Sequence, residues 1–228
     1  MTIDTNTIQN LDILVSSQRR KRRALGKYVY RNIAKRALDI TLVLLALPVA
    51  LPLIVLMGLL VVTDGKSPFY TQKRIGRNRR SFRMWKMRTM ISNADDFMVQ
   101  YLQENPEARS EWERTQKLKS DPRITRVGAF MRKTSLDELP QLFNVLIGNM
   151  SIVGPRPMMT DQMDLYPGTR YYRLSPGITG LWQISDRNEC DFVDRAFFDD
   201  AYDKSLSIRT DVKIIAKTFG VVLRGTGC

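Results

Sequence analysis

Residues 40–62, ITLVLLALPVALPLIVLMGLLVV, form a run of 23 side chains without one charge. A helix of that length reaches about 34 Å at about 1.5 Å per residue, enough to cross a hydrocarbon core of about 30 Å. The run is too long and begins too deep in the chain for a cleavable signal peptide, and no small-residue cleavage site follows it. A buried helix of a soluble protein is the alternative, and the length argues against it. Pro48 and Pro52 stand near the middle. Each removes an N–H and presses its ring on the preceding turn; four residues apart, they share one face and should bend the helix sharply.

The charge around this run is symmetrical. The chain carries 36 Lys and Arg against 23 Asp and Glu, a net +13. Residues 1–36 hold nine basic side chains and two acidic ones, +7, and residues 64–90 hold nine and one, +8; the remainder is −2. Orientation by positive charge needs unequal flanks, and these are nearly equal. A helix that enters the cytoplasmic leaflet, turns at the prolines and returns would satisfy both flanks. A kinked span would satisfy the length. In both arrangements the basic residues of 19–23, with Arg31, Lys35 and Arg36, can lie along anionic lipid head groups, at about 1 kcal/mol per charge.

The chain has no histidine and only two cysteines, Cys190 and Cys228. Ser-His-Asp and Cys-His machinery and His-ligated metals are therefore excluded, leaving carboxylates, Lys, Cys or Tyr for acid–base and nucleophilic work. Two cysteines so far apart make neither a disulfide framework nor a Cys-rich metal site, which fits a reduced, cytosol-facing protein.

The pattern divides the chain into a basic, polar N-terminal segment (1–34), an apolar helix suited to a membrane (35–66) and a mixed remainder (67–228). Residues 69–73 and 82–88 read as strands around Gly76-Arg77-Asn78, a hairpin. Residues 94–118 are helical but interrupted at Asn105-Pro106. Residues 127–133 and 136–147 read as short helices, the second closed by Gly148, and a Pro/Gly-rich loop follows. In the last segment Val212, Ile215, Phe219 and Val222 share a face opposite Lys213 and Lys217, an amphipathic helix for a core or a bilayer surface. The class is α+β with helix dominant.

Ser135-Leu136-Asp137-Glu138 has two readings. Ser135 and Glu138 fit a capping box, with acids favoured in a first helical turn. Alternatively, Asp137 and Glu138 form a carboxylate pair facing a phosphate-binding surface, where Asp137 could attack phosphorus or hold Mg²⁺. Alternation along a strand puts Lys86 and Arg88 on one face, either gripping a diphosphate or simply solvated. Arg156, fixed between Pro155 and Pro157, and Arg132 with Lys133 carry the same two readings. The basic blocks are poor candidates for nucleic acid, because they bracket an apolar run and few aromatics are interleaved as stacking platforms.

These residues together resemble the bacterial sugar transferases, the monotopic phosphoglycosyl transferases. The resemblance runs through Lys35-Arg36-Ala37-Leu38-Asp39, Gln72-Lys73-Arg74-Ile75-Gly76, Lys86-Met87-Arg88-Thr89-Met90 and Asp121-Pro122-Arg123-Ile124-Thr125. It continues in residues 135–142, Val153-Gly154-Pro155-Arg156-Pro157, Pro176-Gly177-Ile178-Thr179-Gly180-Leu181-Trp182-Gln183, Asp200-Ala201-Tyr202 and Ser205-Leu206. The order holds over about residues 35–224, and the length resembles the small form that initiates exopolysaccharide synthesis.

The resemblance implies a re-entrant membrane hairpin and a cytosolic catalytic domain on the bacterial inner membrane. It also implies Mg²⁺ and a ping-pong reaction. In that reaction Asp137 attacks the β-phosphorus of a UDP-sugar (galactose or glucose), UMP leaves, and undecaprenyl phosphate takes the sugar phosphate. Glu138 matches the second acid of the dyad, and Asp137 and Glu138 the metal-supporting pair. Lys86, Arg88, Arg132 and Arg156 are the expected substrate-binding cations. One departure is Leu51, where many members have Ser before the helix-breaking proline. A non-catalytic membrane scaffold of a polysaccharide assembly complex is the competing reading, and a homo-oligomer is left open.

Overall fold

The apolar run lies inside a longer helix. The computed structural model describes residues 18, 24–62, 66–115, 118–185 and 192–223. Residues 1–17, the basic residues 19–23, Cys190 and Cys228 fall outside the described residues. Helix α1, Lys35–Val61, continues from a π-helical turn at Tyr30–Ala34 and contains both Pro48 and Pro52. Its buried positions are Lys35, Asp39, Val43, Ala50, Ile54, Met57 and Gly58, spaced to make one stripe. Leu45, Val49 and Leu59 on other faces are 72%, 67% and 67% exposed. Both prolines are also exposed. A helix bends away from a proline ring, so this placement curves α1 toward the rest of the molecule.

Both ends and the middle of α1 are fastened to the remaining chain. Near its start, Lys35 donates to Asp211 at 2.6 Å, and Asp39 accepts from Ser151 Oγ and the Ile152 N–H at 3.0 Å each. Arg36 donates to the carbonyls of Val145 and Leu146. In the middle, Val43 and Ala50 pack with Met84, Leu142, Val145 and Met150. Toward the end, Met57 packs with Met87 and Met131.

The hairpin is where the alternation predicts it: β1 (Phe69–Ile75) and β2 (Ser81–Met87) are antiparallel, with Tyr70 opposite Lys86, Gln72 opposite Met84 and Arg74 opposite Phe82. Directly opposed residues share a face, so Arg74, Met84 and Lys86 emerge together. Asn105-Pro106 divides α2 (Ala94–Glu104) from α3 (Pro106–Thr115). Helices α4 (Arg126–Thr134) and α5 (Gln141–Leu146) flank a 3₁₀ turn at Leu136–Glu138. A second sheet escaped the sequence: β3 (Ser151–Val153) pairs parallel with β4 (Gly177–Thr179). Three residues are too few to display an alternation. Helix α6 (Arg195–Ser205) was likewise unforeseen, and α7 (Ile208–Leu223) is the last described element.

Helix α7 buries Asp211 and Ile214, both 1% exposed, while Val212 and Phe219 are 54% and 67% exposed. The apolar stripe read from the sequence therefore points largely outward, except for the partly buried Ile215. The inward face carries a carboxylate: Asp211 accepts from Tyr30, Lys35 and Tyr202, and this network ties α7, α6 and the N-terminal helix together.

Candidate active site

The capping-box reading of Ser135 does not hold. Ser135 ends α4 in the left-handed region, φ 58°, and its side chain makes no capping bond. Left-handed backbone at a helix end reverses the chain. The 3₁₀ turn that follows carries Asp137 inward, 6% exposed, and Glu138 beside it. The Glu138 carboxylate faces Lys86 instead of the turn's own backbone: Lys86 Nζ donates to Glu138 Oε1 at 2.8 Å and to Asp137 Oδ2 at 3.3 Å.

Two contacts hold this geometry. Asn144 on α5, fully buried, donates to the Arg83 carbonyl at 2.7 Å and accepts from the Trp85 N–H at 2.9 Å. It satisfies the backbone of β2 as a neighbouring strand would, and so fixes the dyad turn over Lys86. On the other side, a Cβ on Gly128 would stand 2.0 Å from the Thr89 carbonyl oxygen. Only glycine lets α4 press so close, and Arg132 then donates from Nε to Thr89 Oγ1 at 2.9 Å.

Burial holds the Asp137 carboxyl above the ordinary carboxylate range; Lys86 opposes this and the charge of Glu138 adds to it. Burial also lowers Arg132, whose charge is favoured by nearby Asp137. The paired carboxylates are hard oxygen donors of the kind Mg²⁺ uses, one or two at a time alongside substrate phosphates. Among the described residues no cluster of three or more acidic or thiol ligands exists, so a cage made wholly of protein is not the arrangement these residues offer.

Arg156 enters from the β3–β4 side. Gly154 and Gly177 approach so closely that a Cβ on Gly177 would lie 2.1 Å from the Gly154 nitrogen. That contact positions the Pro155-Arg156-Pro157 segment, and Arg156 lines one pocket with Lys86, Glu138, Arg74 and Gln183. Arg88 does not join them. It follows the end of β2, and its guanidinium donates to the carbonyls of Val61 and Ser67, at 3.1 and 2.9 Å. It thus ties the end of α1 to the start of the hairpin.

Sequence reasoning did not single out Arg74, Gln183 or Arg195. Arg74 is pushed down to about 10, by burial first and then by Arg156. Its signal was available, because Arg74 pairs across the hairpin in register with the face of Lys86. Arg195 and Gln183 meet Arg156 through long-range packing, which no local pattern announces. Arginines that depress one another around a buried carboxylate pair make a pocket for a polyanion.

The family model for bacterial sugar transferases matches residues 30–225. The chain belongs to that family. It is 46% identical over 199 residues to the exopolysaccharide production protein ExoY of Sinorhizobium fredii, covering 86% of this chain and 88% of that protein. It is 46% identical over 195 residues to the undecaprenyl-phosphate galactose phosphotransferase of Salmonella typhimurium, covering 85% of this chain and 41% of the relative. A UDP-galactose-lipid carrier transferase of Erwinia amylovora is 45% identical over 195 residues, with the same coverage. The chain spans about two-fifths of the length of these longer relatives. The acidic turn and the arginines around it lie inside the matched region.

Proposed function

We propose that the chain transfers a hexose-1-phosphate from a UDP-sugar, with galactose or glucose as the hexose, to undecaprenyl phosphate. The observation that carries this reading is Asp137, buried in a left-handed-to-3₁₀ turn and bridged with Glu138 by Lys86, with Arg156 lining the pocket beside Glu138. Phosphoryl transfer depends mostly on positioning and charge neutralisation, which these groups supply without histidine. Two relatives, a galactose phosphotransferase and a UDP-galactose-lipid carrier transferase, support this substrate class.

An Asp137 carboxylate oxygen attacks the β-phosphorus, the bond from that phosphorus to the bridging oxygen breaks, and UMP leaves with the electron pair. An oxygen of undecaprenyl phosphate then attacks the same phosphorus and releases the Asp137 carboxylate. Lys86 holds both acids in place and keeps Asp137 ionisable despite its burial. Arg156 and Arg132 offset phosphate charge. Mg²⁺, held by Asp137 and Glu138, would neutralise the substrate's phosphates.

Helix α1 serves as a non-spanning anchor in this reading. A spanning helix would put its ends on opposite sides of a bilayer, yet here both ends and the middle bind one set of elements. That fastening, the outward prolines and the two basic flanks support a re-entrant helix in the inner membrane, with the catalytic elements on the cytoplasmic face. The direct test is chemical: with UDP-hexose labelled in the sugar and Mg²⁺, the wild-type chain should form a covalent adduct and release UMP. Adduct formation and turnover by Asp137→Asn at the wild-type rate would refute the assignment.

A further inference from the structure

Arg156 lines two adjoining depressions. One contains Lys86, Glu138 and Gln183; the other contains Trp182, Arg195 and Asp199. The second has no part in the reaction as derived so far, yet its cation is built in with care. The Arg195 guanidinium lies 5.3 Å from the Trp182 ring centre and 4.6 Å from that of Phe192, so aromatic faces fix its plane. Its Nε is buried without a partner.

Neither Arg195 nor Arg156 has a hydrogen-bond acceptor or an ion-pair partner among the described residues. The nearby Asp199 carboxylate is engaged elsewhere, accepting from Tyr166 Oη at 2.6 Å. Burial, followed by the charges of Arg156 and Arg74, pushes Arg195 down to about 10. Asp199 answers the Arg195 charge only in part, through space and without an ion pair, so an arginine held against two like charges is still short of an anion. Gln183 adds an independent sign. It is 7% exposed, and both its amide nitrogen and its amide oxygen lack partners among the described residues. A buried carboxamide with no bonds costs free energy that a ligand group would recover.

We propose that Arg195 is a substrate-binding residue: with Arg156 it clamps the phosphate that departs with the uridine, and the Gln183 carboxamide closes the same cradle. This rests on the phosphosugar transfer proposed above. A nucleoside diphosphate sugar presents two phosphates joined by one oxygen. The attacked one must sit at Asp137, within reach of Lys86, and its neighbour falls beside Arg156 toward Arg195. When the bridging bond breaks, charge accumulates on the departing phosphate, where a planar guanidinium fork is the best matched donor.

The test uses the full chain in detergent or nanodiscs and UMP as the probe. Arg195→Gln should weaken UMP binding by roughly tenfold to a hundredfold, the scale of a lost charge-assisted fork, and Arg195→Lys should restore part of it. Gln183→Leu should weaken it less. Both Arg195 variants should slow adduct formation and raise the KM for UDP-sugar. Their KM for undecaprenyl phosphate and the transfer from an adduct already formed should stay unchanged, because UMP has gone by then. UMP affinity within twofold of wild type in Arg195→Gln would overturn the proposal. So would equal slowing of both half-reactions together with a lowered melting temperature in Arg195→Lys. If the wild-type chain binds UMP but forms no adduct, the transfer reading fails, while the same titration still decides the clamp.

Discussion

Lys86 Nζ stands 2.8 Å from Glu138 Oε1 while also reaching Asp137 Oδ2 at 3.3 Å, so one ammonium serves both acids of the turn. Lys86→Met should lower the rate of adduct formation by about a hundredfold, the scale of one lost preorganised charge. The cation pulls the Asp137 carboxyl down against burial. Without it, ionisation needs a higher pH, and the acid limb of the rate–pH profile should move upward. An unmoved limb in rapid-quench assays across pH 5–8 would separate Lys86 from Asp137.

Asp199 carries a stability prediction with a definite sign. Burial raises its carboxyl from 3.8 to about 6, against the Tyr166 hydroxyl and the charge of Arg195. Below pH 3.8 it is protonated in both folded and unfolded chains and contributes nothing. Between these values the unfolded chain ionises first, so stability falls as pH rises, and the full cost stands above about 6. The cost is at most about 3 kcal/mol. Asp199→Asn should therefore raise the denaturation midpoint at pH 7 and leave it unchanged at pH 3.5, as followed by urea unfolding in detergent.

Asp211 is 1% exposed and accepts from Tyr30, Lys35 and Tyr202. Asp211→Asn would leave the Lys35 ammonium buried without its counter-charge, a loss of about 3–5 kcal/mol. Detergent-solubilised protein should show a lowered unfolding midpoint, with protease cleavage appearing near residue 30.

The membrane arrangement predicts same-side labelling. In a chain carrying Cys190→Ser and Cys228→Ser, single cysteines at Tyr28 and Lys66 should both react with an impermeant maleimide in inside-out vesicles. Neither should react in intact spheroplasts. Labelling of the two positions from opposite sides would establish a span.

What the sequence disclosed and what it withheld divide along contact distance. The hairpin and the Asn105-Pro106 break follow from alternation and proline chemistry. The meaning of Ser135 was misread, because capping-box spacing is identical whether the serine opens a helix or ends one in the left-handed region. Arg88 was placed with Lys86 by alternation, but β2 stops at Met87, and one residue past a strand the period no longer applies. Arg195 could not be seen at all: its relation to Arg156 depends on the chain folding back over 38 intervening positions.

The Arg36 guanidinium caps the last carbonyls of α5, Val145 and Leu146, from the opposite end of the chain. Helix α1 and the elements around the acidic turn are therefore one body. A fragment cut after the apolar run in pursuit of a soluble enzyme would strip the cap from the helix behind the acidic turn. It would also leave Asp211 without its cation, and bare Met84, Met87 and Leu142 to water. The helix that makes this chain difficult to handle is also a wall of its interior, and purification has to keep it.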